Sequence, residues 1–219
     1  MADFKTTRAG VDNKNNVRKS LGAIAFIADV TEAPLETISS AGGALATIPE
    51  PWQALGMFSE DGLSFTKEIE FEEVLAHGYK TYVRRDASSE THGVSLTALE
   101  VDRKVVAELR HGVDLSDVTP DANGEIKISV PELDNTREYR LLAVSMDINK
   151  ETGLEIYRAR QYRNISVSTF PEEAWSADPV QAAFEFTAKA DEDGVVLEEF
   201  VAGPGVVAED LGYTVTAGE

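Results

Sequence analysis

A strict alternation of side chains over residues 63–72 constrains this fold more than any other part of the sequence. Phe65, Ile69 and Phe71 fall at alternate positions, with the stem of Lys67 among them. The positions between and beside them are polar: Ser64, Thr66, Glu68, Glu70 and Glu72. A period of two predicts a β-strand with one face on a core and the other in water. Asp61-Gly62 predicts a turn that leads into this strand, because glycine adopts positive φ without a Cβ penalty.

Glu68, Glu70 and Glu72 form a row of like charges, which costs stability unless solvent screens the row or the function uses it. The whole chain is acidic, with 39 acidic residues against 20 basic ones and a net charge of −19. That balance repels phosphates and argues against reading DNA or RNA through a basic footprint. Because acidic composition alone also serves solubility, the position of the acids carries the functional argument.

The absence of cysteine excludes disulfides, thiolate nucleophiles and thiolate metal sites. It fits a reducing compartment or a protein stabilised by assembly. The first residues lack the apolar stretch of a signal peptide, and no apolar run approaches the length of a membrane span. We therefore expect a protein that is soluble when made.

Breaker residues divide the chain into a middle and two ends. Residues 1–20 are polar and predict an N-terminal arm, and residues 195–219, with Gly203-Pro204-Gly205, predict a C-terminal arm. The β domain between them, residues 21–194, contains a long loop at residues 31–53 that is rich in proline and glycine. A loop of this length in a compact domain is usually functional or docks on a partner.

Most of the remaining periodic segments predict strands, at residues 21–30, 79–84, 93–99, 126–130, 139–148, 154–168 and 180–188. The expected fold is mainly β, an antiparallel sandwich or partly rolled barrel with one flanking helix.

That helix is predicted near residues 102–111. Val101, Val105 and Leu109 have helical spacing and form a narrow apolar stripe, which we expect to pack against a core or a neighbouring subunit. Gly112 marks the end, and the start is open between Asp102 as N-cap and a capping box one turn earlier. Four charged residues are expected to face solvent or a neighbour: Asp102, Arg103, Lys104 and Glu108.

Motifs for catalysis or metal binding are weak. The three histidines (His77, His92 and His111) lie beside turns or a helix end without ligand spacing. Asp147, Asn149 and Glu151 alternate as in a calcium loop, but the glycine falls one place late and the distal glutamate is missing, which favours a hairpin loop. We predict no catalytic residue, metal or cofactor, and therefore a protein that is not an enzyme.

The two tryptophans stand in loops beside prolines or acids. Trp52 and Trp175 are interpreted as anchors into a core or a neighbouring subunit. Sugar-stacking platforms are the alternative.

The order of the segments resembles one family. Residues 55–63, the acid-rich strand, and residues 94–100 followed by a helix that closes at Gly112 are similar to the major tail (tail tube) proteins of long-tailed phages, closest to those infecting actinobacteria. The strands at 139–148, 156–168 and 182–188, with Phe170-Pro171-Glu172 among them, also resemble that family. The resemblance covers roughly residues 20–200 and rests on the order of segments more than on any single motif.

The resemblance implies a structural virion protein that self-assembles into stacked hexameric rings. Strands of each subunit would join one barrel around a lumen, through which DNA leaves without specific binding. It also implies synthesis in the host cytoplasm and contacts with the tape measure, tail terminator and distal tail proteins. Glu68, Glu70 and Glu72 become candidates for the lumen, because an acidic wall repels phosphates, although strand periodicity equally allows them to face outer solvent.

Two other functions remain open. The chain could be a β-sandwich binding or decoration module that contacts carbohydrate or a virion surface through Trp52 or Trp175. A hydrolase with a carboxylate pair is the third hypothesis, and no nucleophile or metal motif supports it.

Overall fold

The structure is a computed structural model that describes residues 3–132 and 136–214. Eight strands form one antiparallel sheet in the order β2-β1-β5-β6-β7-β4-β3, and β8 pairs with β6 beside that path. The strands are β1 (Gly22–Asp29), β2 (Gln53–Ala54), β3 (Phe58–Leu75), β4 (Tyr82–Ala98), β5 (Glu138–Ile148), β6 (Glu155–Thr169), β7 (Ala182–Lys189) and β8 (Leu197–Ala202). The α-helices are α1 (Phe4–Val11) and α2 (Lys104–His111). The predicted mainly β fold with a flanking helix is confirmed.

The sheet is curled, so that strands distant in the order share one core. β3 and β6 are separated by β4 and β7, a distance of about 14 Å in a flat sheet. The rings of Phe65 on β3 and Tyr162 on β6 nevertheless stack with centroids 6.1 Å apart. Inside this curl lies the inner cluster of buried apolar residues, which includes Ile27, Leu141 and Phe184. The partly rolled shape gives one face of β4 and β7 to the core and leaves the other in solvent.

Helix α2 packs on the inner cluster. Val105 and Leu109 are buried, at 3% and 0% exposed, and Val101 packs against the same cluster from just outside the helix. Gly112 ends α2 in the left-handed region, at φ 65°. The chain therefore turns sharply where the sequence predicted that it would.

Two expectations about α2 were wrong. The helix begins at Lys104, and Arg103 holds the N-cap position without a side-chain hydrogen bond, so Asp102 is not the cap. Glu108 is buried rather than exposed, and its Oε1 accepts a hydrogen bond from the backbone N–H of Leu115, 3.1 Å away. A single carboxylate that satisfies a neighbouring backbone donor can lie on a packed helix face, which the charge pattern alone does not predict.

The predicted N-terminal arm contains structure of its own. Asp3 caps α1 by accepting from the N–H of Thr6, and a short 3₁₀ helix follows at Lys14–Asn16. Beyond it, the N–H of Lys19 donates to Asp147 on β5 over 3.0 Å. The arm is thus tied to the end of the β5 strand.

The boundary predicted at residue 194 was wrong. Residues 195–219 were expected to form an arm, but β8 lies within them and pairs with β6 from Tyr157 to Tyr162. Glu198 on β8 accepts two hydrogen bonds from the guanidinium of Arg163 on β6, at 2.7 and 2.6 Å. The alternation over this segment was too acidic to indicate a sheet strand, and the ion pair with Arg163 compensates for that acidity.

Glu198→Gln is expected to destabilise the fold near neutral pH and to have little effect in acid. The hydrogen bonds from Arg163 lower the pKa of the Glu198 carboxyl below its ordinary value of 4.5. A lowered pKa means that the stabilisation is present above the unfolded-state pKa and is lost as the pH falls through the folded-state pKa. Urea midpoints of the two proteins should differ at neutral pH and converge as the pH falls through the folded-state pKa of Glu198. Glu199→Gln, at a side chain 50% exposed, is the control, and equal midpoints for Glu198→Gln and wild type at neutral pH would contradict the prediction.

The long loop at residues 31–53 covers the outer face of the sheet. Ile38 and Trp52 are 1% and 5% exposed and pack in an outer cluster with Leu142 and Tyr157. The amide of the buried Gln161 fixes the loop by accepting from the N–H of Leu35 and donating to its carbonyl, at 2.8 and 3.1 Å. This loop therefore completes the core of its own chain.

Two further local predictions were wrong. Residues 126–130 form no strand, and Ile126 and Val130 are 61% and 52% exposed. Gly62, at φ 71°, lies inside β3 at an irregularity in the pairing with β4 rather than in a turn before the strand. Across residues 3–132 and 136–214, neither helix combines the length and apolar character needed to cross a membrane.

Candidate assembly surface

Strands β3 and β4 extend far beyond the rest of the sheet as a two-stranded hairpin. Among the described residues β4 pairs with β7 only from His92 to Ala98, so residues 68–91 have no third strand beside them. Every residue of this projecting hairpin is exposed except Ala76, which is intermediate. About ten residues of β3 lie beyond Phe65, which corresponds to a reach of roughly 30 Å. The predicted strands at 79–84 and 93–99 are parts of one strand, β4.

One side of the projecting hairpin is acidic. Glu68, Glu70 and Glu72 share this acidic face, as predicted, and stand opposite Thr91, Ser89 and Asp86 of β4. The hydroxyl of Ser89 donates to Glu70 over 3.0 Å. No lysine or arginine forms an ion pair with these three glutamates among the described residues. The three charges therefore remain uncompensated.

The opposite side carries large apolar side chains in water. Ile69, Phe71, Leu75 and Tyr82 are 39%, 45%, 71% and 45% exposed and define the apolar face, which also carries the ion pair of Glu73 with Arg85. The guanidinium of Arg85 lies 3.8 Å from the centre of the Phe71 ring and 5.8 Å from that of Tyr82. Ile69 and Phe71 were predicted to face a core, and that prediction was wrong within one subunit because the hairpin leaves the core after Phe65.

A charged cluster joins the hairpin to the core at its base. Glu90 binds the ammonium of Lys67 at 2.7 Å and the ring of His92 at 2.6 Å. The buried His92 contacts Tyr162 edge-on. Hydrogen bonds from Lys67 and then from His92 lower the pKa of Glu90. The cluster fixes where the strands leave the core, and it keeps Glu90 charged there.

The acidic face continues into a polar face of the four-stranded part of the sheet, β6-β7-β4-β3. Directly opposed residues of antiparallel strands share a face. Two rows of opposed residues cross β3, β4 and β7 on this face: Ser64, Ser95 and Glu185 form one row, and Thr66, Gly93 and Thr187 form the other. The other face of β7 carries buried Phe184 and Phe186. Each subunit therefore presents one polar surface on which the acidic row lies.

Four of the five predicted packing residues are buried or partly buried in the subunit: Trp52, Val101, Val105 and Leu109. Trp175 differs, since it is 88% exposed and its Nε1–H donates to Glu173. The structure does not bring Trp52 and Trp175 together on one accessible surface, because Trp52, near the end of the long loop, is buried in the outer cluster.

The calcium-like spacing at Asp147, Asn149 and Glu151 serves the turn between β5 and β6. Asn149 accepts from the N–H of Glu151 at 2.9 Å and donates to the carbonyl of Gly205 at 2.9 Å. Asp147 accepts from two backbone N–H groups, those of Lys19 and Ile148. Within the described part of the chain, no three histidine or carboxylate side chains are grouped closely enough to hold a metal ion.

Sequence reasoning placed Tyr82 in a strand at residues 79–84 but missed the continuation of β4 through residues 85–92, including Arg85. Its serines and charges resemble a loop by composition. The available signal was the lack of glycine and proline from Tyr82 to His92, which permits one continuous strand opposite the acidic row.

Comparison with known proteins adds no assignment, because neither a protein-family model nor a curated protein matches this chain.

Proposed function

We propose that this chain is a structural subunit that self-assembles into the stacked hexameric rings of a phage tail tube. The observation that carries the proposal is the projecting hairpin, whose apolar face is exposed to water. Exposed apolar patches of this kind are typical of protein interfaces. The ring and tube geometry comes from the resemblance to major tail proteins.

The unpaired edge of β3 supports assembly in a second way. Among the described residues β3 pairs only with β4, so its other edge presents free backbone donors and acceptors over a long strand. Such an edge invites pairing with another chain, and closure into a ring removes it. The β3 edge and the apolar face therefore support the same conclusion, contact between copies.

The polar face of β6-β7-β4-β3 is the surface that we assign to the lumen. It bears Glu68, Glu70 and Glu72 together with Glu185, and its other side is the core. Copies of such a face around a channel would superpose their negative potential, since low-dielectric walls focus the field. DNA phosphates would be repelled and the duplex would pass without binding.

The remaining parts of the proposal follow the resemblance. The tube would be a passive conduit for DNA ejection in the virion, without cofactor or catalysis. Its other partners would be the tape measure, tail terminator and distal tail proteins.

Electron microscopy of the purified full-length chain tests the proposal. Rings or tubes should form as the protein concentration rises, because an interface shifts the equilibrium by mass action. A chain that sediments as a monomer over the whole accessible concentration range would overturn it.

A binding module is the second candidate, and the exposure of Trp175 favours it. Aromatic rings presented to water can stack on sugars. Such a module would stay monomeric and would change its electrophoretic mobility with a glycan, whereas the tube subunit would polymerise.

A further inference from the structure

Residues 125–130 have the sequence of a strand but no partner strand within residues 3–132 and 136–214. Ile126, Ile128 and Val130 alternate with Lys127 and Ser129. The segment belongs to no strand; Ile126 and Val130 are 61% and 52% exposed, and Ile128 is half-buried. An extended segment with this alternation can add as a strand to an exposed sheet edge of another chain.

Both ends of the segment are defined. At the start, Asp121 accepts from the N–H groups of Asn123 and Glu125, at 2.7 and 2.9 Å. At the end, Pro131 has no N–H and stops a hydrogen-bonded ladder. The residues between them would span about 20 Å when extended. That length suffices to cover the acidic row and the apolar residues beside it.

The free edge of β3 offers the same alternation. Glu68, Glu70 and Glu72 lie on one face of it, with Ile69 and Phe71 on the other. A strand laid along this edge must place its own polar and apolar residues on matching faces. Residues 126–130 satisfy that condition in either strand direction, since Lys127 lies between two isoleucines.

Charge favours the same pairing. Lys127 is the one lysine or arginine between His111 and Arg137, a stretch otherwise rich in acids. Opposite charges directly across two strands stabilise their pairing. On the β3 edge, Lys127 would lie beside the uncompensated carboxylates of the acidic face.

We propose that residues 125–130 of one copy add as a strand to the free β3 edge of a second copy. This inference rests on the proposed function, and it names the contact through which subunits join. Ile126 and Ile128 cover the apolar face near Ile69 and Phe71, and Lys127 pairs with Glu70. A second copy is the occupant because both the segment and the edge stay unpaired within the described part of one chain.

Disulfide trapping tests the contact in a chain that has no cysteine of its own. Lys127→Cys is made in a chain with a size tag and Glu70→Cys in an untagged chain, with Glu68→Cys and Glu72→Cys covering the neighbouring registers. Mild oxidation of the mixed chains should give a tagged–untagged dimer. Lys127→Cys mixed with Glu192→Cys, at an exposed turn, is the control and should not.

Charge reversal provides the second arm. Lys127→Glu alone should lose assembly, and mixing it with Glu70→Lys should restore it, which a merely structural role for Lys127 would not do.

Assembly of the unmodified chain without any trapped dimer would overturn this inference and leave the proposed function standing. A disulfide within one chain of the Lys127→Cys/Glu70→Cys double variant would also overturn it. Failure of the unmodified chain to assemble would overturn the proposed function itself.

Discussion

Replacing both Ile69 and Phe71 with aspartate is expected to abolish self-assembly while the subunit stays folded. The two side chains are 39% and 45% exposed and lie beyond the core, so a single subunit loses little by the change. Surface substitutions usually alter the free energy of unfolding by less than about 0.5 kcal/mol. At an interface, by contrast, each buried carboxylate without a partner weakens the free energy of association by about 2 kcal/mol or more. Two such sites per contact exceed what a weak subunit interface can tolerate.

Analytical ultracentrifugation and the melting temperature of the same samples separate the two effects. Ile148→Asp/Leu154→Asp is a matched control, because these side chains are 40% and 45% exposed at the β5–β6 turn. The control should assemble and the hairpin variant should not, with similar melting temperatures. Normal polymers of the hairpin variant would show that the apolar face is not an interface. A large fall in its melting temperature would show that this face stabilises the subunit instead.

The strands that face the core were predictable because their periodicity is local. Residues 139–148 and 154–168 correspond to Glu138–Ile148 and Glu155–Thr169 within one residue at each end. Helix α2 was also found from its apolar spacing and from Gly112, although its buried Glu108 was not. In these elements the side-chain pattern and the final burial agree, which is the condition under which sequence reasoning succeeds.

The candidate site was only half predictable, for a physical reason. Alternation shows that Ile69 and Phe71 share a face, but whether that face meets a core depends on where neighbouring strands end. β7 stops beside His92, and this length is set elsewhere in the chain. Residues 126–130 show the opposite case. Their side chains alternate as in a strand, but such a segment does not form a strand of a sheet without a neighbouring strand to pair with. β8 shows that an acidic segment can pair in a sheet when an arginine on the neighbouring strand binds one of its carboxylates, as Arg163 binds Glu198.

The lumen assignment predicts that lysines on the polar sheet face create DNA binding. Ser64, Glu185 and Thr187 are exposed on that face, away from the projecting hairpin. Lysine at all three would leave the core-facing side of β7 unchanged, so the subunit should fold and assemble. Each phosphate that a lysine neutralises releases counterions, and the slope of log K against log salt is about −0.9 per contact. Copies around a ring multiply the effect, because a confined channel adds their potentials.

Fluorescence anisotropy of labelled duplex DNA across a salt series measures that binding. The triple-lysine tubes should bind DNA at low salt and release it steeply as salt rises, and a phage that carries the change should assemble but eject DNA poorly. The control has lysine at Asn123, Thr152 and Glu192, which are exposed on turns and give the same change of charge.

Because the chain has no cysteine, Glu72→Cys reports the location of the acidic row itself. A thiol reagent too bulky for the channel should leave Glu72→Cys unlabelled in intact tubes and label it in free subunits. Equal labelling in both states, or normal ejection by the triple-lysine phage, would place this face on the outside of the assembly.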